Sequence, residues 1–178
     1  LASVLPEQAD SEISEQEMIR RNNEELVAAW GNLVQRVFAQ INNNFDKLGE
    51  ISDSEEIDTK LIFGFEEAYK NIGNLIEKVE LKSALQESMR CVSQVNAYLN
   101  ETEPWKIIKD DTKRAGRVLY TSLQAIDSCA NLLYPFMPAT SENVRNAIPK
   151  TTECKWGVNE IKRGVELGQL ELLFKKFD

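Results

Sequence analysis

Pro104, Trp105 and Lys106 stand together where a helical run carrying Asn96, Tyr98 and Leu99 should stop. Proline has no amide hydrogen and a fixed φ, so it suits the first turn of a new helix. Trp105 is thereby placed at a break between helices, with its ring aimed by local geometry. An aromatic beside a cation at such a junction suits a single-stranded base, which stacks on the ring while lysine meets the phosphate. The alternative is a core plug at a corner, since large aromatics are usually well buried.

A second constellation lies on the first long helix. Leu26, Trp30, Leu33, Val37 and Ile41 recur at helical spacing and turn inward, broadened by Val27, Val34 and Phe38. At about 100° per residue, Asn32, Arg36 and Asn43 fall on the opposite side, with Ala29 and Ala39 leaving room around Arg36. Asn32 and Arg36 are spaced i, i+4, so their side chains are neighbours. An amide beside a forked guanidinium can read the polar edge of a pyrimidine or hold a phosphate. An ordinary solvated face has the same composition, and the wheel alone does not choose between them.

Charge limits what such a site could bind. The net charge of −8 argues against extensive wrapping of nucleic acid. The acidic residues crowd positions 1–25 and 50–58, whereas 105–117 carries Lys106, Lys109, Lys113, Arg114 and Arg117 against Asp110 and Asp111. One basic segment therefore begins at Trp105. It allows a small, local RNA contact with Lys106 and Lys109 as candidate phosphate partners. No DNA partner is expected.

The chain of 178 residues is sized for one domain with a real core. No apolar run is long enough to span a membrane and no signal peptide opens the chain. Cys91, Cys129 and Cys154, odd in number and far apart, suit a reducing cytoplasm. With no histidine, Cys/His zinc sites and His-based triads are excluded, as is a carboxylate-bridged metal bundle built on Glu-x-x-His pairs. No catalytic residue and no metal ligand is assigned.

The periodicity predicts an all-α helical bundle, with helices over about 14–44, 53–79, 81–100, 112–134 and 140–148. Ser14 and Glu17 form a capping box at the first. The second turns Ile57, Leu61, Phe65, Ala68, Ile72, Leu75 and Val79 inward. The third buries Leu85, Val92, Val95 and Leu99. The fourth buries Ala115, Leu119, Leu123, Ile126, Cys129 and Leu133, and Pro135 and Pro138 close it. Thr140 or Ser141 restarts the last. No Gly, Pro or Asn lies between Val79 and Lys82, and a break is placed there because an uninterrupted helix would be unusually long. Residues 150–178 read as a tail that folds back, anchored by Leu172, Leu173 and Phe174. The opening Leu1-Ala2-Ser3-Val4-Leu5, without methionine, is what a piece of a longer protein would show.

Four segments in order carry a resemblance: NNEELVAAWGNLVQRV (22–37), NAYLNETEPWK (96–106), LLYPFMPATSENV (132–144) and LLFKKFD (172–178). Together they resemble the anticodon-binding region of methionyl-tRNA synthetase, a class I aminoacyl-tRNA synthetase. The Pro-Phe-x-Pro segment is similar to class I synthetases more widely. The Trp-Gly-Asn-Leu and Glu-Pro-Trp-Lys segments point to the methionine enzyme.

The resemblance implies a helical bundle that receives the CAU anticodon of tRNA(Met) in protein biosynthesis. An Asn and an Arg on one helix and a Trp at a later junction contact the loop in that family, and they match Asn32, Arg36 and Trp105. It implies a parent enzyme that joins methionine to its tRNA with ATP. The parent's catalytic domain, with its His-Ile-Gly-His-like and Lys-Met-Ser-Lys-Ser-like motifs, has no counterpart here. ATP, methionine and any zinc are thus expected to have no site on this chain, which should be inactive alone. By the same resemblance, residues 1–18 are the end of a joining segment, 19–149 the bundle, and 150–178 a tail that packs on the catalytic domain. Asn42-Asn43-Asn44 stands where relatives often place basic residues. The competing reading is an acidic helical module that docks a basic protein.

Overall fold

The computed structural model describes residues 14–151 and 153–177. Its helices are α1 (Glu15–Arg21), a π-helical segment (Asn22–Gly31), α2 (Asn32–Asn44), α3 (Glu56–Glu77), α4 (Leu81–Thr102), α5 (Pro104–Ile107), α6 (Thr112–Leu133) and α7 (Pro138–Ala147). Among the described residues the only bridge between extended segments is an isolated antiparallel one, Lys150 with Ile161. The expected all-α bundle is what forms.

The first predicted helix is continuous but not uniform. Its middle is π-helical, and the Asn32 amide donates to the Val27 carbonyl, five residues back. The wheel used for residues 26–41 therefore slips across 22–31, and Leu26 and Val27 are only half-buried. Trp30, Leu33, Val34, Val37, Phe38 and Ile41 are buried as expected. The capping box at its start is half formed. Ser14 Oγ accepts from the Glu17 amide at 3.1 Å, but the Glu17 carboxylate turns to Arg20 and Arg21 instead of the Ser14 amide. Two guanidiniums outcompete one backbone N–H.

The break between α3 and α4 is real, and it is made without glycine. The Glu80 amide donates to Leu75 O and the Val79 amide to Ile76 O, the two bonds of a Schellman ending. Val79 takes the position that favours glycine, with φ of 62°. It was expected to face the core, yet it is 69% exposed. A left-handed residue after the last turn points away from the stripe that precedes it.

Other boundaries moved by a turn at most. Helix α7 begins at Pro138 because proline suits a first helical position; it starts this helix and does not merely end the one before. The α4–α5 junction turns on Glu103, also left-handed at φ 41°, and Pro104 follows, buried.

Helix α6 occupies the centre, packed against α2, α3, α4, α5 and α7. Val118, Leu119, Ile126, Cys129, Leu132 and Leu133 are fully enclosed. Burial pushes the thiol of Cys91 up to about 11, and that of Cys129 also upward, so both behave as small apolar groups. α6 also buries polar side chains, and the tail partners two of them. The Lys150 ammonium lies 2.8 Å from Asp127 Oδ1, and Asn131 Nδ2 donates to Lys155 O at 2.7 Å.

The tail then runs back along the bundle. Trp156 Nε1 donates to Tyr69 O, the Gly164 amide to Leu48 O and the Gly168 amide to Ala147 O. Of the three expected anchors, Leu173 and Phe174 pack on the core cluster, whereas Leu172 is exposed. Phe174 lies where Gly31 has no side chain; a Cβ there would sit 3.3 Å from its ring. Asn23 pairs both ways with Phe177, donating to its carbonyl at 2.8 Å and accepting from its amide at 3.0 Å. The expectations for residues 1–13 lie outside the described residues.

One buried carboxylate ties three elements. Asp58, 1% exposed at the start of α3, accepts from Tyr98 at the end of α4 and from Arg114 at the start of α6. Burial by itself would raise the Asp58 carboxyl. Arg114, then Tyr98 and the Glu55 amide, outweigh burial and hold it below the usual carboxylate range. A carboxyl held low contributes stability that is complete above its ordinary value of 3.8 and is lost as pH falls through the lowered one. Asp58→Ala should therefore cost about 3–5 kcal/mol at neutral pH. The gap from the parent should narrow below about pH 4, which urea melts at several pH values would read. Val79→Gly should raise stability by about 1 kcal/mol, measured as a higher Tm, by relieving a β-branched residue in a left-handed conformation.

Candidate nucleic-acid interface

Helix α2 leaves the π segment at Asn32, so Asn32 and Arg36 share one regular α-helical turn and their i, i+4 relation holds. Asn32 is exposed and Arg36 half-buried. Between α2 and α4 lies an open hollow of about 540 Å³, lined by Ala28, Asn32, Arg36, Ala39 and Asn96 among others. Ala39 was expected there. Ala29 does not line it; Ala28, four residues before Asn32, does, and the Ala29 carbonyl accepts from Asn96 of α4.

Trp105 sits on the first turn of α5, just after buried Pro104. It is 38% exposed, so the core-plug alternative fails. The Arg36 guanidinium carbon lies over the Trp105 ring, 5.6 Å from its centroid. The fold thus brings together residues 69 positions apart, in register with Asn32 one turn earlier. Arg36 Nη2 donates to Asn96 Oδ1 at 3.4 Å, while Arg36 Nε is buried with no acceptor.

The basic segment is mostly spent inside the fold. Arg114 is paired with Asp58 and Glu55. Arg117 Nε donates to Ser52 O at 2.7 Å, and Lys113 lies 3.5 Å from Glu50. Lys106 is in an exposed ion pair with Glu103 at 2.7 Å. Such a pair is weak and readily exchanged for another anion. Lys109 is exposed on the turn after α5. Neither lysine lines the hollow. A count of cations along the chain overstates this surface, because the two arginines are structural.

Asn96 had no role assigned from sequence. Its signal was present: an asparagine in mid-helix, one residue from Val95 and four from Val92, on the edge of a buried stripe. Asparagine disfavours helix interiors unless its amide is used.

What the arrangement offers is an open aromatic face, a guanidinium held over that ring, and an exposed amide at the edge of an adjacent hollow. That set suits an unstacked base with an acceptor nearby. Comparison with known proteins gives the family. Residues 48–178 match the anticodon binding domain of methionyl tRNA ligase. The chain belongs to that family.

Residues 1–38 match the methionine class of class I tRNA synthetases, so Asn32 and Arg36 fall under one match and Trp105 under the other. A methionine–tRNA ligase of Bifidobacterium adolescentis is 44% identical over 149 residues, covering 82% of this chain and 24% of the relative. One of Chloroflexus aurantiacus is 38% identical over 139 residues, covering 78% and 23%. The chain spans about a quarter of the length of the curated relatives it matches. The free-state methionyl-tRNA synthetase of Mycobacterium tuberculosis superposes with a TM-score of 0.89 at 20% identity, over 99% of this chain and 37% of that one, and shares its fold.

A partly exposed side chain should matter less to folding than an enclosed one. Trp105→Ala should cost no more than about 1 kcal/mol of folding stability, since it loses a half-open ring and one cation–π contact. Trp30→Ala, at 0% exposure, should cost about 3–5 kcal/mol. Parallel urea melts would separate the two tryptophans.

Proposed function

We propose that this chain reads the CAU anticodon of methionine transfer RNA. The observation that carries the reading is the Arg36 guanidinium lying over the half-exposed Trp105 ring, beside the hollow that Asn32 lines. Trp105 stacks a splayed anticodon base, in first place the first one. Asn32 hydrogen-bonds the edge of that base, and Arg36 meets an acceptor on it or the neighbouring phosphate. Lys106 exchanges Glu103 for a phosphate, and Lys109 adds a second contact.

The mechanism is recognition without chemistry. In a full-length synthetase, tighter binding of CAU loops would favour productive placing of the distant acceptor end, where methionine is joined at the expense of ATP. ATP, methionine and any zinc belong to parts outside this chain. The donor set here fits no zinc: there is no histidine, and Cys91 and Cys129 are buried with raised pKa values. A catalytic domain of the same protein is the second partner, and the cytoplasm is the place of work.

The test is binding of an anticodon stem-loop with a CAU triplet against one with an altered first base. The first should bind more tightly. Arg36→Ala should weaken it by about 1.5–3 kcal/mol with Tm nearly unchanged, and Arg36→Lys should restore only part. Trp105→Ala should cost about 1–3 kcal/mol of binding. Equal binding of both loops would remove the anticodon reading.

A further inference from the structure

The half-buried amide of Asn96 reaches two elements besides its own helix. Its Nδ2 donates to Ala29 O of the π segment at 3.1 Å and to Val92 O, one turn back on α4, at 3.2 Å. Its Oδ1 accepts from Arg36 Nη2. Both amide hydrogens are therefore used, and the orientation of the group is settled by its partners. Turned over, it would set its oxygen against two carbonyls and its NH₂ against a guanidinium. Asn96 is thus an acceptor of fixed direction aimed at Arg36.

A surface arginine ordinarily samples many rotamers, and holding it in one costs entropy at the moment of binding. Here one Nη2 hydrogen is already taken, and the guanidinium is held over Trp105 at 5.6 Å. The Nε has no protein acceptor at all. Of the rest, the Nη hydrogens not taken by Asn96 are the ones a ligand acceptor can meet in place of water.

We propose that Asn96 is the positioning residue of this site: it anchors on Ala29 and Val92 and holds Arg36 over Trp105, presenting the remaining guanidinium donors to an acceptor group of the nucleotide stacked there. The proposal rests on the anticodon reading above, and it adds a residue that touches no base. It also gives the π segment a use. Turning the Ala29 carbonyl toward α4 supplies the anchor from which Asn96 is aimed.

Two readouts test it, one without RNA. In the chain labelled with 5-fluorotryptophan, the Trp105 line is assigned by its loss in Trp105→Phe. Asn96→Ala should move that line as Arg36→Ala does, leaving the Trp156 line in place. Asn96→Ser, which can still bond Val92 O but cannot reach Arg36, should do the same and guards against a failure of Asn96→Ala to fold. Asn96→Asp keeps an acceptor for Arg36 but loses both anchoring donors and sets an oxygen against the Ala29 and Val92 carbonyls, so the line should stay displaced; its return to the original position would show that the anchor is not needed. In binding of the CAU stem-loop, Asn96→Ala should cost about tenfold. Arg36→Ala with Asn96→Ala should be no weaker than Arg36→Ala alone, because the two act as one unit. An unmoved Trp105 line, or losses that multiply, would overturn the role of Asn96. Failure of the parent chain to prefer the CAU loop would overturn the anticodon reading, while the fluorine line would still judge the positioning.

Discussion

The corner that carries Trp105 depends on one buried carboxylate. Asp58 stands at the start of α3 and receives Tyr98 from the last turns of α4 and Arg114 from the first turn of α6. Those two residues flank the short helix α5 on either side. A charge this deeply buried is costly unless all its partners are present. The end of α4 and the start of α6 are thus held at a set separation, and Glu103, Pro104 and Trp105 span it. The left-handed Glu103 costs conformational energy and persists because both ends of the corner are pinned.

The other half of the site comes from a different device. Helix α2 is regular, but the segment before it is not, and the change of pitch decides which residue faces α4. Both halves are tied to α4: Arg36 through Asn96, and the Trp105 corner through Tyr98 of the Asp58 network. The exposed face is then a composite of two rigid supports.

Much of this was legible beforehand. The 3.6-residue stripes gave the helices and the centre of the core, including Ala115, Leu119, Ile126 and Cys129 of α6, but not Tyr69, Tyr98 or Leu132, and Leu61, Leu75 and Leu85 are only half-buried. Asn32, Arg36 and Trp105 stood out by residue type and spacing, and the resemblance singled out the same three. What failed to show were features in which one energy term locally overrides another. Val79 was assigned inward by periodicity, yet the helix ending takes it out. Arg114 and Arg117 counted toward the basic segment because a sequence shows charge without showing its partner. The π segment left no mark in composition, and Ala28 lines the hollow where Ala29 was expected. Asn96 was visible only as a polar residue in an awkward place, and its meaning needed the neighbouring helix.

The two-way pairing of Asn23 with Phe177 joins positions 154 residues apart. Loop-closure entropy grows only with the logarithm of length, so closing so large a ring costs only about 0.6 kcal/mol more than closing one half its size. A few side-chain amides and the Phe174 ring on Gly31 are enough to keep the tail home. They sit on the same π segment whose Ala29 carbonyl anchors Asn96. Residues 174–177 therefore brace the helical segment that leads into Asn32 and Arg36. Loosening of residues 174–177 would be felt first as slack in that brace.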